Sequence, residues 1–466
     1  MNPEAASWSN PAPYDLDYQL PEIHAGDPGM AVLSASRSAL AWGNLPWQER
    51  AGHLRSLQSA LREAAPRLSR EITEETGKPI TEAEGELAAV VAKIDWTIKD
   101  GEEVLPDREV KDGPHPALIR HAPLGPALVI APFNFPLHLG HGATMAYLLA
   151  GNPVIFKPSP FAGRVAESYG DLLRAHLPEG VFQVVQGGAE VARSLAVAPQ
   201  VRAVCFTGSV PAGRALAGLL ASDFSKSLAL ELGGHNHSLV CADADLDAAA
   251  DAIAQSIGLT AGQRCNATSQ VDVEKSVADC FLGKLAAALE KFVPGNPFLP
   301  ETRMGPLISE AAVDRYLRLT AAKDRDWILP GCAVSEVDGK RGCYVRPALS
   351  LARTLEERPG QGSCEEIFAP VAHAQVFEDL HDCIRRVNSS PYGLSASVFT
   401  RDRSLYDNVA GSLNVGNVYW NLPTTLSPSS LPFGGWQDSG NGKPGARGFI
   451  RHALREKSLQ WPANSP

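Results

Sequence analysis

Cys265 lies in the run LTAGQRCNAT (259–268), directly after an arginine and in a stretch that predicts a loop or a helix start. A free thiol with a pKa of about 8.5 is only a few per cent ionised at neutral pH. A neighbouring cation or a helix N-terminus raises that fraction. A reactive thiol also needs an acid–base partner and a donor for the developing oxyanion. Glu231 closes the run SLALE (227–231) just before Gly233 and Gly234, and Asn134 sits between two phenylalanines in APFNFP. Thiol, carboxylate and amide are the three groups that covalent chemistry on a carbonyl requires. Each also has a plain structural reading: an inert core thiol, a surface carboxylate, and an amide capping a turn.

The elements that would position them follow from periodicity. Helix begins near Met30. Leu54, Leu57 and Leu61 share one face while Arg50, Arg55 and Arg62 fall elsewhere, the pattern of an amphipathic helix. Gly77 and Pro79 mark a stop between helical stretches at 71–76 and 82–99. From residue 124 short β-branched runs at 127–132, 153–158, 181–187, 203–208 and 227–234 alternate with helical stretches near 138–150, 162–175, 189–196 and 211–221. Strands spaced by helices read as βαβ units around a parallel sheet. A second α/β region follows from 234 to 432, and REKSLQ (455–460) reads as an edge strand. Residues 1–29, rich in Pro and Asp, read as loosely structured.

Ligands of open α/β sheets bind outside the carboxyl ends of strands. Lys157 stands there after PVIF, followed by Ser159, and a lysine so placed can hold ribose hydroxyls or phosphate, although a lone lysine is more often merely solvated. Gly208 and Ser209 follow AVCF and open a helix containing Gly213, a turn suited to a pyrophosphate. The formal G-x-G-x-x-G match at 440–445 contains Pro444 and lacks a preceding strand, so it reads as a loop.

Composition narrows the classes. The chain has 466 residues, 44% hydrophobic and 20% charged, with a net charge of −10, which suits a globular protein and argues against nucleic acid as partner. Residues 121–156 carry no Asp, Glu, Lys or Arg, yet five prolines, Asn134 and three histidines interrupt them, so buried core is expected rather than a membrane span. Eight cysteines without a C-x-x-C pair or a Cys/His cluster predict free thiols, no structural metal and a reducing compartment. No signal peptide is read at the N-terminus, so the cytoplasm is expected.

Seven motifs in order, APFNFP, VIFKPS, CFTGS, LELGGHN, TAGQRC, EEIFAPV and LPFGGWQDSG, resemble the aldehyde dehydrogenase superfamily over about residues 30–462. Asn134 to Glu231 spans 97 positions, Glu231 to Cys265 34, and Cys265 to Glu366 101. NFPLHLGHGATMAYLLAGN (134–152), TAGQRCNAT (260–268) and LPFGGWQDSGNGKPGA (431–446) are most similar to its succinylglutamate semialdehyde dehydrogenases, a group of bacterial arginine catabolism. The resemblance implies an α/β fold with a Rossmann-type dinucleotide domain (1–108 and 124–233), a catalytic α/β domain (234–432) and oligomerisation segments (109–123 and 433–466) of a homodimer or homotetramer. It implies Cys265 as nucleophile, Asn134 as oxyanion donor and Glu231 as base for hydrolysis of a thioester. Lys157, Ser159, Gly208, Ser209 and Gly213 would hold the adenosine and pyrophosphate of NAD, and Glu366 and Phe368 the nicotinamide ribose.

The chain also departs from the family. Its usual N-terminal hairpin has no equivalent before Met30. Leu422 replaces a lysine of the succinylglutamate group, and Pro160 replaces a glutamate after Lys-Pro-Ser. The second change weakens repulsion of NADP, so use of both cofactors is expected. Lys443, Arg447, His138 and His141 are candidate partners for substrate carboxylates. Four alternatives are weighed against NAD(P)-dependent oxidation of N-succinylglutamate 5-semialdehyde or a similar carboxylated semialdehyde: a dehydrogenase of another semialdehyde or of an aliphatic aldehyde, an acylating dehydrogenase using coenzyme A, a cofactor-free cysteine hydrolase, and a binding protein without catalysis.

Overall fold

The computed structural model describes residues 7–111, 113–321, 325–352, 366–441 and 447–463. Three long helices come first: α1 (Pro28–Asn44), α2 (Trp47–Thr76) and α3 (Ile80–Val104). Asp27 caps α1 through the backbone N–H groups of Gly29 and Met30. Gly77, at φ +70°, ends α2. A side chain there would be strained by the left-handed backbone and would collide with Pro306 at 2.4 Å.

Five parallel strands follow in the order Ser227–Glu231, Ala203–Thr207, Ala127–Ile130, Val154–Lys157, Phe182–Val184. The helices α4 (His138–Leu149), α5 (Gly163–His176), α6 (Ala189–Val197) and α7 (Val210–Leu220) connect them, each within two residues of its expected span. One face of the sheet packs on α2 to α5 around Leu57, Leu87, Phe156 and Tyr169. The other packs on α1, α6 and α7 around Ile155, Leu195 and Leu216. The strands are buried on both sides, which is why they read as continuous apolar runs rather than alternating ones.

The second sheet has seven strands. Six run parallel, and Asp326–Leu329 pairs antiparallel at one edge. Its interior strand Asn236–Val240, beside the central strand Thr268–Glu274, begins five positions after Glu231, so the carboxyl edge of the first sheet meets the beginning of the second. A third, antiparallel sheet joins Leu454–Gln460 to Ala117–Pro123 and Arg108–Val110, as the edge-strand reading expects.

Two expectations are corrected. Residues 7–24 are not loose. A hairpin does precede Met30, where none was expected: Pro11–Ala12 pairs with Asp15–Gln19, and Ser7–Trp8 pairs with Ile23–His24. Ala12, Tyr14 and Leu20 bury against Tyr344 of the second α/β region, a distant partner that local pattern cannot show. Within the segment grouped by sequence with the oligomerisation tail, residues 439–441 run along the strand that carries Glu231, and Trp436–Gln437 pairs with Tyr392–Gly393. Asn441 Oδ1 accepts from the Leu230 N–H at 2.7 Å and Ser439 O from the Leu232 N–H at 2.9 Å.

Asn152 ties the first sheet to the C-terminal strand. Its Oδ1 accepts from the backbone N–H groups of Leu124 and Gly125, and its Nδ2 donates to the Tyr147 and Ala453 carbonyls, with the side chain fully buried. Asn152→Ala should cost about 2–4 kcal/mol, since each buried group left unpaired costs about 1–3 kcal/mol. A urea-denaturation midpoint indistinguishable from wild type would show that these groups find other partners.

Candidate active site

A cleft of about 1040 Å³ opens between the two sheets, lined by Asn134, Lys157, Ser159, Gly208, Ser209, Glu231, Cys265, Glu366 and Phe368. Nine of the ten residues expected from sequence thus share one cavity. The tenth, Gly213, lies behind it. A side chain there would strike Leu232 at 2.6 Å, so the close approach it permits is that of α7 to the sheet.

Strand ends place the lining residues. Lys157 and Glu231 are the last residues of their strands, and Gly208 and Ser209 follow a third. Lys157 Nζ donates to the Pro158 carbonyl at 2.7 Å, and burial lowers the lysine to about 8. Ser209 caps α7 by position without a side-chain bond to it.

Cys265 sits in a turn after the short helix Leu259–Gly262, in which Thr260, Ala261 and Gly262 all have positive φ. The turn is pinned from several sides. Asn134 Nδ2 donates to the Gln263 carbonyl at 2.8 Å, which leaves its second N–H available. Asn236 Nδ2 donates to the carbonyls of Cys265 and Ala267, each at 2.8 Å, while Asn236 Oδ1 accepts from the Ser395 hydroxyl at 2.8 Å. Gly233 is required by close approach, because a Cβ there would lie 2.1 Å from Glu366 Oε2.

The expected ionisation of the thiol is corrected. Burial, then the carboxylates of Glu231 and Glu366, hold Cys265 well above its ordinary value, against the opposing pull of Arg264. The cysteine stands in a turn rather than at a helix N-terminus, and Arg264 is paired with Glu82 at 2.7 Å. Glu231 is raised to about 8 by burial, which the Gly435 backbone N–H offsets in part. That N–H lies near the carboxylate without hydrogen-bonding geometry, and among the described residues neither carboxylate oxygen has a hydrogen-bond partner. Burial also raises Glu366 to about 8, although it accepts from the Gly234 N–H at 3.2 Å and lies near Arg315.

The suggested carboxylate partners lie elsewhere. Arg447 pairs with Asp100 and Glu103. His141 bonds the Tyr169 hydroxyl, and His138 and His141 are lowered to about 3 by burial. Lys443 and positions 442 and 445 of the glycine motif lie outside the described residues. Sequence reasoning did not find Arg193 and Arg315, which also line the cleft. Nothing local distinguishes them from other helix-surface arginines. It also assigned no role to Asn236, although that residue ends the quoted motif LELGGHN. Among the described residues no group of three or more His, Cys, Asp and Glu could hold a metal ion, and no helix is long and apolar enough to cross a membrane.

The cleft fits a dinucleotide on this structure's own features. Lys157 and Arg193 line it beside Ser159 and the N-terminus of α7, and Glu231, Glu366 and the thiol share the same cavity. The model of the aldehyde dehydrogenase family matches residues 2–459. The chain is 36% identical over 422 residues to N-succinylglutamate 5-semialdehyde dehydrogenase 1 of Caulobacter vibrioides, covering 89% of this chain and 88% of that protein. A betaine aldehyde dehydrogenase of Staphylococcus aureus, a point mutant in complex with NAD+, superposes with a TM-score of 0.92 at 25% identity, covering 99% and 95% of the two chains. An NADP-dependent enzyme of Escherichia coli gives a TM-score of 0.90 at 30% identity, covering 98% and 95%.

Because the resting thiol is held protonated, iodoacetamide should alkylate Cys265 slowly at pH 7 and faster as pH rises past 9. The exposed Cys280 and Cys332 should react sooner. Peptide mapping of the labelled protein, with Cys265→Ser as control, checks this. A Cys265 fully reactive at pH 7 would show the thiol already ionised.

Proposed function

The chain belongs to the aldehyde dehydrogenase family, and we propose that it oxidises a carboxylated semialdehyde, N-succinylglutamate 5-semialdehyde, with NAD as natural cofactor and NADP as a usable second. That it acts on aldehydes follows from the family. The finer reading rests on the Caulobacter relative and on the motifs at 134–152, 260–268 and 431–446. The observation that carries the chemistry is the unpartnered, fully buried Glu231 carboxylate in the same cleft as Cys265 and Asn134.

In this reading Cys265 Sγ, once deprotonated, bonds to the aldehyde carbon. The free N–H of Asn134 and the backbone N–H of Cys265 hold the resulting oxyanion, and one such donor typically contributes about 10²–10³ in rate. Bound NAD supplies a hydride acceptor. Glu231 in its ionised form takes a proton from the water that releases the acyl group from sulfur as the acid. Lys157, Ser159, Ser209 and Gly208 hold the adenosine and pyrophosphate end, and Glu366 and Phe368 the nicotinamide ribose. We place the enzyme in the cytoplasm, where its free thiols stay reduced, as a homodimer or homotetramer joined through the sheet of residues 108–123 and 454–460.

Glu231→Gln should give a burst of NADH near one per active site and then a slow steady state, because the acyl-enzyme forms but its water lacks a base. In wild type the steady-state rate should rise as pH approaches about 8, where Glu231 loses its proton, and level off above. The variant should lose this inflection. Equal loss of burst and steady state would remove Glu231 from deacylation.

Cofactor choice is tested at Pro160. A carboxylate at that place would accept from both ribose hydroxyls and repel a 2′-phosphate. Without it, Lys157, Ser159 and Arg193 face the cofactor end of the cleft. NADP should work within about a hundredfold of NAD in kcat/KM, since one such charge shifts selectivity by about 1–3 kcal/mol. Pro160→Glu should widen the gap, and a wild type that already rejects NADP as strongly as the variant would overturn the argument. In a substrate panel the acidic semialdehydes should exceed hexanal in kcat/KM. The reverse order would exclude a carboxylated substrate.

A further inference from the structure

Two glutamates on the first two turns of α3 each reach a different loop of the proposed site. Glu82 holds the nucleophile's loop. Its Oε1 accepts from the Thr260 N–H at 2.9 Å, and its Oε2 from the Thr260 hydroxyl at 2.6 Å and from Arg264 Nη2 at 2.7 Å. Arg264 Nε also donates to Thr260 Oγ1 at 2.9 Å. These bonds grip the first residue of the positive-φ run and the residue immediately before Cys265. Such a backbone persists only where its surroundings over-determine it.

Glu86 holds the loop of the oxyanion donor. Its Oε1 accepts from the backbone N–H groups of Leu137 and His138, each at 3.0 Å. It thereby caps α4, whose own residues supply no side-chain cap. Its Oε2 takes Lys78 Nζ at 2.5 Å, with both side chains of the pair out of solvent. The phenyl ring of Phe135, next to Asn134, has Lys78 Nζ 3.7 Å from its centroid and Arg264 Cζ 4.9 Å from it. The two arms therefore meet on the neighbour of the amide.

We propose that Glu82 and Glu86 form a brace, projecting from one face of one helix, that sets the separation of Asn134 and Cys265 and so assembles the oxyanion site. They touch no reacting atom and are positioning residues. Residues four apart on a helix share a face, so a single rigid element holds both loops. The two loops also meet directly, through the bond from Asn134 to the Gln263 carbonyl and through Arg264 over the Phe135 ring. Without the brace these contacts alone would hold the amide against the nucleophile's loop, and a misplacement of about 1 Å can cost about a hundredfold in rate.

The inference rests on the functional reading above, and the test separates the two. Hydrolysis of p-nitrophenyl acetate needs Cys265 and the oxyanion donors but no hydride acceptor, so it is measured beside aldehyde oxidation. Glu82→Ala and Glu86→Ala should each lower kcat in both assays by about 10–100-fold, below the ceiling of about 10²–10³ for one donor. KM and the Kd for NAD should stay within about threefold. In an Asn134→Ala background the same substitutions should cost less than about threefold, because the group they position is gone. Lys78→Met with Glu86→Gln keeps an acceptor for both N–H groups without an unpaired buried charge, and should recover most of the activity lost in Glu86→Ala. If Glu86→Ala does not fold, Glu82→Ala at the partly exposed arm and the double variant carry the cycle. Losses that add fully to that of Asn134→Ala, or no loss at all, would overturn the brace and leave the dehydrogenase reading intact. A wild type that hydrolyses the ester but oxidises no aldehyde would overturn the functional reading, while the cycle on ester hydrolysis would still judge the brace.

Discussion

Four residues carry the chain from Glu231, the last residue of one sheet's edge strand, to Asn236, the first of an interior strand of the other sheet. That short crossing forces the carboxyl edge of the first sheet against the beginning of the second, and the rest of the arrangement depends on it. Gly233 and Gly234 make it possible, since a side chain at either would collide with Glu366 or with the Cys265 carbonyl. The crossing brings strand-end groups of one sheet, Lys157 and Glu231, into one cleft with a thiol from the approach to the other. Ser439 then locks it from outside, its hydroxyl donating to the Gly233 carbonyl at 2.7 Å and to no residue further along the crossing.

Burial in that cleft sets the resting charge. Glu231 and Glu366 are pushed up to about 8, Lys157 is pulled down to about 8, and Cys265 is held protonated. Each shift runs toward the neutral form, the direction desolvation dictates. A thiol and a carboxylate held ionised side by side would repel. Held neutral, they can stand together out of water, and charge arises only as a proton moves. The unpartnered oxygens of Glu231 cost stability, a cost characteristic of a group kept for reaction rather than for packing.

The parallel sheet was legible because its buried strands are continuous, mostly apolar runs, and the four helices that connect them fall within two residues of their expected spans. Lys157 and Glu231 stood out as strand-end groups at the edge where ligands bind, Asn134 by its place in an uncharged run and Cys265 by the arginine before it, while the roles of all four came from the family resemblance of their motifs. What depends on distant partners was not. DLDYQ (15–19) alternates weakly, and the burial of the hairpin comes from Tyr344, more than 300 residues away. The pair Arg264–Cys265 suggested an activated thiol, yet the guanidinium is engaged by Glu82, a carboxylate 182 positions earlier. Glu82 and Glu86 themselves look in sequence like a solvated helix face.

Among the described residues no histidine lines the cleft, which weighs on the choice among reactions. A cysteine hydrolase pairs its thiol with an imidazole that can take and return a proton near neutrality. Here His237 is engaged with Asp272 at 2.7 Å, His235 stacks on Tyr392 with ring centroids 4.4 Å apart, and His138 and His141 are too deeply buried to protonate near pH 7. The proton acceptor offered to the thiol and to any attacking water is therefore a carboxylate. A carboxylate raised to about 8 is a far stronger base than an ordinary one, strong enough to activate water against a thioester. An acylating enzyme has less need of such a base, because its acceptor thiol, with a pKa of about 8.5, ionises near neutrality far more readily than water. Glu231, held without a partner, thus favours water as the acceptor and the free acid as the product.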